Sequence, residues 1–146
     1  MGRSYVWSLN RDHLAAEALI ALANMRQTLL DHLTEEAHTV PGLMFAALFG
    51  SAARGNMRLD SDIDLFLVSA DDAAQSEFAS AVSALEWKVS RWTGNDARAL
   101  TMRESEIDGG APVLQQIANE GITLTSDPLW LHRRMMRRTR EQARSI

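Results

Sequence analysis

The hydrophobic positions along the chain fall into runs of strand length and stripes at helical spacing. Residues 14–33 carry apolar side chains every three or four positions, which predicts a long N-terminal helix with one face toward the core. Residues 43–49 are uninterruptedly apolar, and residues 62–68 are apolar after a polar start, so both predict buried strands. A second helical stripe over residues 78–92, ended by Gly94, predicts the helix after the second strand.

The remaining segments have weaker patterns. Asp71 or Asp72 is expected to cap the second helix. Further predicted elements are a strand over residues 97–102, a helix from Pro112 to Gly121 and a short strand at residues 122–124. Strands that alternate with helices favour an α/β (α+β) fold, in which helices cover a small mixed β-sheet.

Length and composition indicate one folded domain. A chain of 146 residues with 46% hydrophobic residues can bury one substantial core, whereas two domains would each be undersized. We assign residues 1–12 to an N-terminal strand and linker, residues 13–126 to the domain, and residues 127–146 to a basic tail. The chain contains no cysteine, which excludes disulfides and thiolate metal sites and fits a cytoplasmic location. Polar residues interrupt residues 14–33, so this stretch cannot span a membrane.

The formal net charge of −4 conceals an uneven distribution. The tail is rich in arginine, and a basic end of this kind can contact nucleic acid or an acidic protein surface. The simpler interpretation, which we favour, is a solvated and partly helical end, so nucleic-acid binding is not predicted for this chain. The arginines are Arg133, Arg134, Arg137, Arg138, Arg140 and Arg144.

Two carboxylates mark the start of the second strand. Asp62 and Asp64 are separated by one residue, so on a strand they point to the same face, roughly 7 Å apart along the backbone. Two like charges on one face repel each other unless a cation lies between them. Carboxylate oxygens of this kind are suited to Mg²⁺, which proteins commonly bind through one or two carboxylates together with substrate phosphates.

A glycine–serine pair follows the first strand. Gly50 lets the backbone approach a phosphate closely, and the Ser51 hydroxyl and nearby amides can bind phosphate oxygens. Arg54 or Arg58 can add positive charge for a polyphosphate. Alone, a Gly-Ser turn or an Asp-x-Asp pair is common and usually without function, but the two on adjacent strands are a far more specific combination.

The stretch "FGSAARGNMRLDSDIDLFLV" resembles the signature of the minimal nucleotidyltransferase domain in the DNA polymerase β superfamily. The resemblance implies transfer of a nucleoside monophosphate, with AMP from ATP the expected case, to an acceptor hydroxyl with release of pyrophosphate. It further implies that Gly50 and Ser51 bind the triphosphate, and that Asp62 and Asp64 bind Mg²⁺. Because of its positive charge, Arg54 is assigned with Gly50 and Ser51 as a nucleotide-binding residue.

Catalytic members of that family usually carry a third acid on the following strand. Alignment with this pattern places Arg98 at that position, where the arginine can pair with an aspartate or hold a phosphate. Asp96, two residues earlier, is our provisional third catalytic acid, and Glu104 and Glu106 are less well placed. The alternative to an enzyme is a catalytically impaired nucleotide-binding or protein-interaction module.

Small members of the family commonly pair with a HEPN protein in a toxin–antitoxin system and modify it with AMP, which makes a HEPN-type partner an expectation here. Self-association as a homodimer is left open. The segment "GRSYVWSLNRDH" also resembles the last strand of a winged helix-turn-helix domain and its linker. That resemblance raises the alternative that the chain is the C-terminal part of a longer regulator.

Overall fold

The computed structural model describes residues 8–55, 61–107 and 110–144 of the chain. A four-stranded mixed sheet in the order β3-β2-β1-β4 lies at its centre. The strands are β1 (Leu43–Phe49), β2 (Ile63–Ser69), β3 (Ala97–Arg103) and β4 (Ile122–Thr123). The helices are α1 (Ala16–Ala23), α2 (Met25–Ala37), α3 (Gly50–Ala53), α4 (Gln75–Thr93), α5 (Pro112–Glu120) and α6 (Trp130–Arg144). The predicted fold class is confirmed, and the 3-10 turn at Glu104–Glu106 is an addition.

The pairing of the strands brings three strand ends together. β2 is antiparallel to β1 and parallel to β3. The end of β1 therefore lies at the same sheet edge as the starts of β2 and β3. In this register Phe49 is opposite Asp64, and Asp64 is opposite Arg98.

The sheet is buried on both faces. One face packs on α2 and α4, where Leu33, Leu65 and Val89 are almost fully buried. The other face packs on α5 and α6, where Phe66 and Leu114 are equally inaccessible. Burial on both sides explains why β1 and β2 appear in the sequence as continuous apolar runs rather than as alternating patterns.

Helix α4 shows which local signals the sequence gives reliably. Gly94 ends it in the left-handed conformation at φ 73°, and its N–H donates to the Ser90 carbonyl at 2.9 Å, as the sequence predicts. The predicted aspartate cap is wrong, because α4 begins at Gln75 after Ala74. Asp71 instead accepts a hydrogen bond from the backbone N–H of Ser105 at 2.9 Å, which joins this loop to the 3-10 turn that follows β3.

The N-terminal helical segment differs from the prediction in its packing. It forms two consecutive helices, α1 and α2, on either side of Asn24. The predicted core-facing stripe is wrong for Leu14, Leu22 and Met25, which are exposed. For Leu22 the reason is that α1 packs mainly on α2 rather than on the sheet. Trp92, the last position of the second apolar stripe in the sequence, is 41% exposed. The strand predicted at residues 1–9 falls, except for residues 8 and 9, outside the described residues.

The basic C-terminal segment is partly integrated into the domain. Leu131 and Met135 of α6 are buried in the second core, and the Trp130 ring stacks on Phe45 with centroids 5.5 Å apart. The expectation of a solvated end is therefore wrong for the first turns of α6. Within the described part of the chain, no helix combines the length and apolar character needed to cross a membrane.

Candidate functional site

Gly50 and Asp64 are in direct contact at the sheet edge. Gly50 has φ 71°, a conformation that side chains other than glycine rarely adopt. A Cβ atom on Gly50 would lie 2.3 Å from Asp64 Oδ2, which is closer than van der Waals contact allows. The junction of β1 and α3, where Gly50 is the first helical residue, therefore needs glycine for two reasons: its backbone conformation and the carboxylate that packs against it.

Asp62 precedes β2 by one residue, and Asp64 is the second residue of that strand. Burial raises the pKa of the Asp64 carboxyl, and the negative charge of Asp62 raises it further. The Arg98 guanidinium acts in the opposite direction on the same pKa. The two acids are thus close enough to interact, as their spacing in the sequence predicts, and negative charge accumulates at this edge.

Arg98 lies beside both acids. It is the register partner of Asp64 on β3, which is the position that the sequence alignment gave for a third acid. Its Nη1 atom contacts Asp62 Oδ2 at 2.9 Å. The Arg98 side chain is 68% exposed and that of Asp62 is 34% exposed, so the ion pair lies at the surface of the site.

Asp96 lies at the same edge, immediately before β3. Its carbonyl accepts a hydrogen bond from the Ile63 N–H at 2.8 Å, and the neighbouring Asn95 amide donates to the Ser61 carbonyl at 2.8 Å. These two hydrogen bonds hold the residues just before β3 beside the residues at the start of β2. Among the described residues, no group of three His, Cys, Asp or Glu side chains is placed to hold a metal. Asp96, with an exposed side chain, therefore stays a prediction as a catalytic acid.

The glycine–serine turn continues into α3. Ser51 is half-buried in this short helix. Arg26 of α2 holds the helix by donating from Nη2 to the Ala53 carbonyl at 2.8 Å. Arg54 Nη1 contacts Glu120 Oε2 of α5 at 3.1 Å, in an exposed ion pair that the sequence did not indicate. Arg58 lies outside the described residues.

Gly50 packs against the Asp64 carboxylate at the start of the neighbouring strand of a small mixed sheet. This arrangement, together with the match to a family model, places the protein in the class of nucleotidyltransferases. The sequence matches the family described as "Polymerase beta, Nucleotidyltransferase" over residues 31–127, which is more than half of the chain. The chain belongs to this family, and the resemblance stated from the sequence is confirmed.

The fold is similar to that of solved toxin–antitoxin proteins. One is a toxin–antitoxin with AMP-PNP, with a TM-score of 0.54 and 19% identity over 81% of this chain and 87% of that one. Another is a tri-AMPylated Shewanella oneidensis HEPN toxin in complex with MNT antitoxin, with a TM-score of 0.52 and 17% identity over 82% of this chain and 87% of that one. Comparison with curated protein sequences gives no significant match.

Proposed function

We propose that this nucleotidyltransferase uses Mg²⁺ and transfers AMP from ATP to a hydroxyl group on a partner protein. The observation that carries the proposal is the packing of the Gly50 turn against the Asp64 carboxylate. A nucleoside triphosphate with its divalent cation needs a backbone that can bind phosphate and carboxylates that can bind the cation. The contact between Gly50 and Asp64 brings these two features together.

The donor atoms at the sheet edge fit Mg²⁺. Asp62 and Asp64 offer hard carboxylate oxygens, and the raised pKa of Asp64 reflects burial and a neighbouring like charge, both of which a bound cation would offset. We assign these two residues as the metal ligands. When bound, Mg²⁺ supplies positive charge to the phosphate oxygens.

The nucleotide contacts are assigned to the turn. The Gly50 backbone and the Ser51 hydroxyl bind the triphosphate, and Arg54 contributes positive charge to it. The ion pair of Arg54 with Glu120 is no obstacle, because its two side chains are 42% and 47% exposed and surface ion pairs are weak.

Asp96 is assigned as the group that activates the acceptor. Its exposed position beside the start of β2 lets a hydroxyl of a second protein reach it. In the proposed reaction the acceptor oxygen bonds to the α-phosphorus, and the bond from that phosphorus to the bridging oxygen breaks. Pyrophosphate leaves with the electron pair of this bond, and the hydroxyl proton passes to Asp96.

The proposed acceptor is a HEPN-type protein. Support comes from the fold, which resembles that of an antitoxin whose partner is described as a tri-AMPylated HEPN toxin. We propose that this reaction takes place in the cytoplasm, where ATP is available. The chain has no cysteine and therefore forms no disulfide that would need an oxidising compartment. The protein partner, rather than a second copy of this chain, is proposed to supply the hydroxyl.

The test is incubation of the full chain with α-labelled ATP, Mg²⁺ and purified HEPN candidate proteins. We expect label on the partner, and a loss of at least about 10²-fold with Asp62→Asn or Asp64→Asn. Asp127→Asn is the matched control, because Asp127 is also paired with an arginine, Arg133, but lies just before α6.

Two outcomes contradict the proposal. Nucleotide binding without label transfer to any acceptor would favour the alternative of a binding module. Transfer that survives both aspartate substitutions would place the chemistry elsewhere in the chain. Asp96→Asn separately tests the proton acceptor, with an expected loss of about 10²- to 10⁴-fold in transfer and unchanged ATP affinity.

A further inference from the structure

We infer that the guanidinium of Arg98 takes the place of a second metal ion in this site, so that the Asp62–Asp64 pair binds one divalent cation rather than two. This inference rests on the proposed function, since it concerns the same metal ligands. It goes further in assigning a role to Arg98 and a stoichiometry to the metal.

The first support is geometric. Arg98 lies directly opposite Asp64 in the β2–β3 register, and its Nη1 atom is 2.9 Å from Asp62 Oδ2. The backbone of Arg98 is held within a parallel strand pair that extends from Ile63 to Ser69, so its charge is tethered beside the acids. The planar guanidinium of an arginine is suited to contact with carboxylates, so Arg98 places its positive charge directly beside the two acids.

The second support is the balance of charge. In a two-metal site, two cations about 4 Å apart stabilise the attacking and leaving oxygens, and several carboxylates neutralise them. Among the described residues, no third acid joins Asp62 and Asp64 in a metal-binding group. Counting only the metal ion, its two carboxylate ligands and the guanidinium in contact with Asp62, the net charge equals that of three carboxylates with two divalent cations; Asp96, which we assign to the acceptor, lies outside this count. A site with Arg98 and one divalent cation therefore has the same net charge as a site with a third acid and two divalent cations.

The third support is competition for Asp62. A divalent cation that binds this carboxylate meets the guanidinium already in contact with it. A unit charge about 6 Å from a divalent cation in water changes its affinity by about tenfold, and physiological salt reduces the effect to about threefold. Removal of the Arg98 charge is therefore expected to strengthen metal binding, although such substitutions near an active site usually weaken it.

The experiment measures Mn²⁺ binding to the full chain by electron paramagnetic resonance of the free ion. With saturating α,β-methylene ATP, which cannot transfer AMP, we expect one Mn²⁺ per chain. Without nucleotide, we expect Arg98→Gln to bind Mn²⁺ about three- to tenfold more tightly than the parent chain. Arg98→Lys, which keeps the charge, should bind like the parent.

Arg133→Gln is the matched control, because it also removes an arginine from an exposed pair with an aspartate. It should leave Mn²⁺ affinity unchanged. Two Mn²⁺ per chain in the parent, or affinity that is unchanged or lower in Arg98→Gln, would overturn the inference while leaving AMP transfer intact. If no Mn²⁺ binds to any variant, the metal part of the proposed function fails as well. Urea unfolding of each variant verifies that the changes are not due to loss of the fold.

Discussion

Replacement of Gly50 by alanine tests the central contact of the site. The substitution adds one methyl group, which would lie 2.3 Å from Asp64 Oδ2. Because Gly50 has φ 71°, the new residue would also be in a strained backbone conformation. Either the carboxylate or the turn must therefore move, and the phosphate-binding backbone shifts relative to the metal ligands.

The expected magnitudes follow from these two effects. The left-handed conformation of a residue with a side chain costs about 1–2 kcal/mol, so the free energy of unfolding falls by at least that amount. To relieve the overlap, the new methyl group or the Asp64 carboxylate must move by about 1 Å. A displacement of this size between catalytic groups and substrate can reduce the reaction rate about 10²-fold. We expect a modest loss of stability together with a large loss of AMP transfer.

Two other glycines separate these effects. Gly94 has φ 73° with nothing within 4 Å of an added Cβ, so Gly94→Ala reports the backbone strain alone. Gly42 has φ 71° and an added Cβ 2.5 Å from the Cβ of Ala73, so Gly42→Ala combines strain with overlap at the opposite end of β1. Urea unfolding gives the stability of each variant, and labelled ATP together with Mn²⁺ titration gives its function.

The three glycine variants should differ in a specific way. All should be less stable than the parent, and only Gly50→Ala should lose metal binding and transfer beyond its loss of folded protein. If Gly50→Ala binds Mn²⁺ and transfers AMP as well as Gly42→Ala does, the contact with Asp64 is not what positions the site.

Three further predictions concern single side chains. Because burial and a like charge raise the pKa of Asp64, the folded chain holds that proton more tightly than the unfolded chain, and ionised Asp64 destabilises the fold. Asp64→Asn should therefore raise the free energy of unfolding at pH 7, and urea titrations should show this gain vanishing as the pH falls below the ordinary value of 3.8. Arg26→Gln should lower stability by about 1 kcal/mol, since it removes a charged hydrogen bond to the Ala53 carbonyl; an unchanged urea midpoint would contradict this. Leu131→Ala should lower the free energy of unfolding by about 2–5 kcal/mol, because Leu131 is buried. Met136→Ala should lower it by less than about 0.5 kcal/mol, because Met136 is 60% exposed. Similar thermal unfolding of both variants would refute the packing of α6.

Local patterns in the sequence predict most of the secondary structure. Continuous apolar runs give β1 and β2 because both strands are buried on two faces, and Gly94 marks the end of α4 through its backbone conformation. The weaker β3 is also located correctly, although alanine and arginine are poor strand formers. The spacing of Asp62 and Asp64 correctly predicts that they interact.

Other features depend on contacts between distant segments. The exposure of Leu22 follows from the way α1 lies on α2, and helical periodicity cannot reveal which neighbour a face meets. The burial of Leu131 likewise requires the second face of the sheet as its partner. The sequence pattern alone places Arg98 at the position of a third acid. That Arg98 pairs with Asp62 is seen only in the structure, because it depends on how the side chains lie across the paired strands β2 and β3.

The mixed sheet has a consequence for how far apart in the sequence the parts of this site lie. β1 and β2 pair as antiparallel strands close in sequence, whereas the parallel pairing of β2 with β3 requires the crossover through α4. The first pairing brings Gly50 to the acids, and only the second delivers the guanidinium of Arg98. The complete site therefore needs both pairings, and the pairing that places a positive charge beside Asp62 and Asp64 is the one with the longer intervening segment of chain.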